Sequence, residues 1–270
     1  MDYPGRAGEK MVIRPTPYPE VNTVLGLLLP SVEEILGNQF VGMYLYGSLS
    51  SGDFDPASSD IDFAVVTENL LPTEIISALE VMHKSLRASS PKWAQKLEGS
   101  YIPKDLIRQH DPHGPACPTV NEGKFYVDQR GSDWIIQRHV IRECGVIVKG
   151  PHPQTLIDPV SADEIRQAVM GTLHEWWFPM LEDPAWLREH DSPYHAFAVI
   201  TMCRVLHALE HGTIVSKPVA AKWAQAQFDG RWNPLIERAL AVRSGGTRPD
   251  FLDETLGFIQ FTKDRTENRR

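Results

Sequence analysis

Two acidic residues separated by a single position, Asp60 and Asp62, open the apolar run in "SSDIDFAVVT". Side chains alternate along an extended strand, so both carboxylates fall on one face while Ile61, Phe63 and Val65 turn to the other. Like charges that close repel unless a cation sits between them. Mg²⁺ suits such a pair, because it takes hard oxygen ligands and commonly completes its shell with phosphates and water. A dozen residues upstream, "YLYGSLSSG" places Gly47 and Ser48 at the end of another apolar run. Glycine leaves the backbone open to close approach, and Ser48, Ser50 and Ser51 supply hydroxyls and N–H donors for phosphate. Folded back through "GDFDPASS", the two halves would grip a metal and a triphosphate together, as metal-assisted nucleotidyl transfer requires. The plainer alternative is a Gly-Ser turn followed by a strand end that Asp60 solubilises. Gly-Ser and Asp-x-Asp at this spacing favour the site over the turn.

Elements that can position these groups are legible around them. "FVGMYLYG", "DIDFAVVT", "QKLEGSYIP" and "GVIVKG" read as strands, short and bounded by Gly, Ser and Asp. "PEVNTVLGLLLPSVEEILGN" reads as a helix with Pro30 as a kink or restart, and "LPTEIISALEVMHKSLRA" repeats Ile75, Leu79, Met82 and Leu86 at helical spacing. "GSDWIIQRHVIREC" is a further helix, whereas Asp105 to Val127, with three Pro and no period, reads as irregular. From Ser161 onward the chain reads as successive amphipathic helices, joined to the first part by "GPHPQTLIDPV". The expected organisation is a tail over 1–18, an α+β or α/β domain over 19–157 and an all-helical domain over 158–270. Met11 is an alternative start.

Composition narrows the partners. A formal charge of −8 disfavours a large polyanion and suits a cationic small molecule. Cys117, Cys144 and Cys203 are widely spaced and odd in number, so a disulfide framework is not expected and a reducing compartment is. The opening stretch has no apolar signal core and no window reaches membrane-span length, which points to a cytoplasmic protein. His110, His113 and Cys117 imitate part of a zinc site but lack a fourth ligand. Arg138 and Arg142, four apart, read as a solvated basic helix face.

The stretch "LYGSLSSGDFDPASSDIDFAVV" resembles the signature of the DNA polymerase β-type nucleotidyltransferase superfamily. The domain order is similar to that of bacterial aminoglycoside nucleotidyltransferases of the streptomycin 3″/spectinomycin 9 type. "ITMCRVLHALEHGTIVSKPVAAKWA" resembles the helical-domain segment of that family. The resemblance implies an α+β chain: a polymerase β-like domain with a mixed sheet, then an all-helical domain. It implies that Asp60 and Asp62 ligate Mg²⁺, that Gly47, Ser48 and Ser59 contact nucleotide phosphate, and that Arg204 and Lys217 reach the triphosphate from the helical domain. Glu98 matches the family's general base. Arg243 stands where relatives can present an aromatic near the nucleotide, and is a candidate to stack on adenine. Trp176 matches an antibiotic-contacting Trp, and Asp191 is the candidate acidic partner, in a segment longer than its counterparts.

The implied reaction is transfer of AMP from ATP, with Mg²⁺, to a hydroxyl of a cationic aminoglycoside or aminocyclitol, releasing pyrophosphate and conferring resistance. No nucleic-acid or membrane partner is implied, and a monomer is expected. Three rivals stand beside this reading. Arg204 and His211 form an R-x₆-H spacing similar to that of HEPN-type ribonucleases; toxin-type or protein-AMPylating nucleotidyltransferases share the first motif; a catalytically silent nucleotide-binding module is the third.

Overall fold

Six short apolar segments pair into one mixed sheet: β1 (Phe40–Leu45), β2 (Ile61–Thr67), β3 (Leu97–Pro103), β4 (Cys117–Asn121), β5 (Lys124–Asp128) and β6 (Val146–Lys149). Their order is β5-β4-β3-β2-β1-β6, and of the pairings only β2 with β3 is parallel. The computed structural model describes residues 14–89, 91–228, 230–246 and 249–267. β2 is apolar on both sides because helices cover both faces of the sheet, which removes the need for polar alternation.

The segment expected to be irregular, Asp105 to Val127, contains β4 and most of its hairpin partner β5. The turn is Glu122-Gly123, with φ of 49° and 68°, the left-handed pair that a two-residue hairpin matched to strand twist demands. Gly123 also has a steric reason, since a Cβ there would lie 2.3 Å from the Ala94 carbonyl oxygen. Three prolines masked the pattern, one of them, Pro118, inside β4.

On one face of the sheet lie α1 (Pro19–Leu36) and α3 (Thr73–Ser89), burying Val24, Leu25, Leu28 and Leu79 against Met43, Leu45, Phe63 and Val65. α1 does not restart at Pro30 but continues through it as one helix. Pro30 and Gly26, whose carbonyl loses its donor, are both exposed, so water can satisfy it. The stretch expected as a tail lies outside the described residues up to position 13. From Thr16 it packs: Asn22 bonds the Thr16 N–H and carbonyl, and the Tyr18 hydroxyl donates to the Phe54 carbonyl at 3.2 Å. The opposite face carries α4 (Asp133–Cys144), whose Trp134 and Ile141 pack with Tyr44, Tyr46, Ala64, Val66 and Ile102. Between β1 and β2 the chain makes one short helix, α2 (Gly47–Ser51).

The C-terminal helices build a separate core around α6 (Ser192–His211), which buries Val199, Ile200, Met202 and Cys203. Packed with it are α5 (Ala162–Thr172), α7 (Lys217–Gln227), α8 (Asn233–Arg243) and α9 (Leu252–Glu267). Ser161 and Glu164 close a reciprocal capping box at the start of α5. α5 then widens into a single π-helical turn, Leu173–Trp177, which puts Trp177 in the core and leaves Trp176 45% exposed. Glu175 reaches back from this turn to Ser132, accepting from its hydroxyl at 2.7 Å and its N–H at 3.3 Å, and so ties the helical region to the sheet region. Among the described residues, no helix is long and apolar enough to cross a membrane.

Candidate active site

β2 begins at Ile61, so Asp62 is held in the sheet while Asp60 lies on the loop before it. The parallel register sets Asp62 beside Glu98 of β3, on adjacent strands about 4.8 Å apart. Alternation puts Asp62 on the α4 side of the sheet, with Ala64 and Val66. Three carboxylates therefore share one end of the sheet. Burial, then the neighbouring Asp60, pushes the Asp62 carboxyl up to about 7. Burial, then Asp60 and Asp62, pushes Glu98 up to about 8. Asp60 is exposed as a residue, yet protein crowding around its carboxyl group raises it as well. Among the described residues, none of the three has an ion pair within 4.0 Å.

Gly47 owes its place to Asp62. Its φ is 60°, and a Cβ built there would stand 2.0 Å from Asp62 Oδ2. The space expected to admit phosphate thus already holds the carboxylate. The Ser48 N–H bonds that carboxylate, and the Tyr46 N–H donates to the Asp62 carbonyl at 3.1 Å. Ser59 is buried and occupied locally: its hydroxyl accepts from the Asp55 N–H at 3.0 Å, closing the loop that carries Asp60.

Basic groups arrive from the helical region. Lys217 opens α7, with its ammonium 5.3 Å from the Phe197 ring centroid, and it acts electrostatically on Asp60, Asp62 and Glu98. Burial, then Arg243 and Arg204, brings its pKa down to about 8. Arg204 donates to the Val215 carbonyl at 3.3 Å and feels the charge of Asp62; burial lowers its pKa. Arg243, the last residue of α8, acts on Asp55 and Asp60 from the same side. The fold brings together Gly47, Ser48, Asp60, Asp62, Glu98, Arg204, Lys217 and Arg243. Arg204 feels the charge of Asp62, whereas His211 lies tilted against His207 and edge-on to Trp223, so the two halves of the R-x₆-H spacing meet different groups.

Behind Asp62 and Glu98 opens a polar cavity of about 330 Å³, lined also by Tyr46, Asn121, Tyr126, Asp128, Asp133, Trp134 and Gln137. The Tyr46 hydroxyl donates to Gln137 Oε1 at 3.2 Å, and the Gln137 amide donates to Asp133 at 2.7 Å. Sequence reasoning missed these residues because most come from the unrecognised hairpin and the start of α4. The alternation in "KFYVD" was the available signal. Trp176 and Asp191 do not line this cavity. Trp176 donates to the Tyr194 hydroxyl at 3.2 Å and meets Trp186 edge-on, beside the Glu175 clasp; Asp191 caps α6.

Asp60 and Asp62 fit a magnesium ion by chemistry: hard oxygen donors, near enough for Asp60 to act on Asp62, and raised in pKa by burial. Among the described residues, no group of three or more His, Cys, Asp or Glu is arranged as a metal cluster. The zinc imitation dissolves: Cys117 is buried in β4 and accepts from Arg130 at 2.8 Å.

Two family models match the chain, a nucleotidyltransferase domain over residues 28–108 and the C-terminal domain of aminoglycoside adenylyltransferases over residues 155–263. Both matched regions resemble those of aminoglycoside adenylyltransferases. An aminoglycoside (3″)(9) adenylyltransferase of Shigella flexneri is 27% identical over 261 residues, covering 89% of this chain and 94% of its own length. A spectinomycin 9-adenylyltransferase of Campylobacter jejuni is 23% identical over 271 residues, covering 92% and 95%. The fold matches that of a spectinomycin adenyltransferase from Enterococcus faecialis, solved with ATP and spectinomycin. There the TM-score is 0.72 at 17% identity, over 91% of this chain and 98% of the other. In this chain the nucleotidyltransferase match precedes the helical one, and the groups described above come from both regions.

Proposed function

We propose that the protein transfers AMP from ATP, with Mg²⁺, to a hydroxyl of an aminoglycoside or aminocyclitol of the streptomycin or spectinomycin type. The observation that carries this reading is the convergence of Asp60, Asp62 and Glu98 at one end of the sheet, faced by Lys217, Arg204 and Arg243 from the helices and backed by an acidic cavity. The names of the relatives support the acceptor class.

In this reading Asp60 and Asp62 hold the metal, which supplies charge neutralisation on the phosphate oxygens. Glu98, at the cavity wall, takes the proton of the acceptor hydroxyl. The hydroxyl oxygen bonds to the α-phosphorus, the bond to the β-phosphate bridge breaks, and pyrophosphate leaves toward Lys217 and Arg204. A base raised to about 8 is close to working pH, where proton transfer is most effective. Asp128 and Asp133 give the cavity the sign that a polycation needs; Trp176 and Asp191, outside the cavity, would meet only a part of the acceptor that reaches the helical region. Because counter-charges and carboxylates come from different regions, nucleotide binding draws the cleft together.

Pyrophosphate release with Mg-ATP, measured across streptomycin, spectinomycin and further aminoglycosides, tests the assignment. Acceptor-dependent release is expected. A folded, ATP-binding sample that releases none, or that transfers label from α-labelled ATP to protein instead, refutes the acceptor class.

A further inference from the structure

Asp60 stands outside the ladder that fixes Asp62, so its position depends on the loop before it. That loop is a tight turn organised by Asp55, which accepts from the Ala57 N–H and the Ser58 hydroxyl, each at 2.9 Å, and from the Ser59 N–H at 2.8 Å through its carbonyl. Phe54 anchors the turn's entry by packing on Tyr18 and Trp93. What closes the exit is Lys96. Its ammonium donates to the carbonyls of Ser59, Ala57 and Pro56 at 3.0, 3.3 and 3.5 Å, while its own carbonyl accepts the Ile61 N–H at 2.7 Å. The ammonium lies 5.6 Å from the Trp93 ring centroid, which holds the side chain from beneath.

We infer that Lys96 is a positioning residue for the metal site: by gathering three loop carbonyls it sets Asp60 opposite Asp62 before nucleotide arrives. Two facts separate this from general loop packing. Three carbonyls on one side chain amount to a built cation position that the ammonium fills, and all of them lie within four residues of Asp60. Lys96 is also the foremost positive influence on Asp60, ahead of Lys217 and Arg243, and it belongs to the sheet region. Its sequence position, two residues before Glu98, ties the loop of one ligand to the strand of the base.

The inference rests on Asp60 as a magnesium ligand, and its test keeps the two apart. In Lys96→Met, half-saturation by Mg²⁺ at fixed ATP is expected to rise about tenfold, with turnover at saturating Mg²⁺ within about threefold of wild type. The added thermal stabilisation by Mg-ATP over ATP with chelator should shrink in parallel. ATP binding in chelator should stay unchanged, and Lys96→Arg should restore most of the magnesium affinity. Lys96→Gln carries the same test if the Met variant does not fold. Unchanged Mg²⁺ half-saturation, or a loss of ATP binding equal with and without metal, overturns the inference; the latter would make Lys96 a phosphate ligand. Unaltered magnesium dependence in Asp60→Asn would instead overturn the ligand reading itself.

Discussion

Gly47→Ala separates backbone strain from active-site displacement. At φ of 60° an alanine pays about 1–2 kcal/mol for the left-handed conformation. In addition its Cβ would stand 2.0 Å from Asp62 Oδ2, where real contacts do not fall below 3.0 Å, so the carboxylate must retreat by about 1 Å. A misplacement of that size at a reacting centre costs on the order of 100-fold in rate. Gly52 is the control: its φ is 78°, and an added Cβ there meets nothing within 4 Å. Both alanine variants should therefore lose stability in urea unfolding, Gly47→Ala the more because of the added clash, while only Gly47→Ala loses about two orders of magnitude in acceptor-dependent pyrophosphate release. Equal turnover in the two variants would refute the claim that Gly47 exists to make room for Asp62.

Glu98→Gln should abolish most turnover while leaving Mg-ATP affinity nearly unchanged, by steady-state rates and calorimetry; retained turnover would place the base elsewhere. The same variant reports on pH. Glu98 is raised from an ordinary carboxylate value to about 8, so between about 4.5 and 8 the folded state binds more protons than the unfolded one, and stability falls as pH rises through that window. The Tm of the ligand-free wild type should drop relative to Glu98→Gln between pH 5 and 8, and parallel curves would contradict it. Asp133→Asn should raise the acceptor KM about tenfold at constant KM for ATP, because it removes a charge from the cavity and none from the nucleotide side. Ser161→Ala should cost about 1 kcal/mol in unfolding by removing one half of the α5 capping box, with no change in rate.

What the sequence by itself determined was local. Asp-x-Asp at the head of an apolar run, Gly-Ser at the end of another and Glu98 on a third specify strands, but alternation accounts only for Asp62, since the strand begins at Ile61 and Asp60 is placed by its loop. Helical periods marked the region from Ser161 onward as helical for the same reason: the information lies within a turn or two of each residue. Tertiary structure decided everything that depends on distant pairing. β4 and β5 were hidden because Pro112, Pro115 and Pro118 mimic a loop, and only the sheet edge at β3 gives the hairpin its partner. The cavity lining went with them. Pro30 remained helical because the Gly26 carbonyl it leaves without a donor lies on the exposed side, a matter of which side of α1 is buried. Trp176 and Trp177 are neighbours in sequence, yet a π-helical turn exposes one and buries the other. Gly47 was legible as a glycine with a purpose, but that its missing Cβ accommodates Asp62 is a fact of two strands brought side by side. Ser59 closes a loop for the same kind of reason, since its hydroxyl finds Asp55 before any ligand. Charge behaves likewise: Lys217 and Arg204 are 155 and 142 positions from Asp62 in sequence, and only the packing of helices against the sheet region makes them its counter-charges.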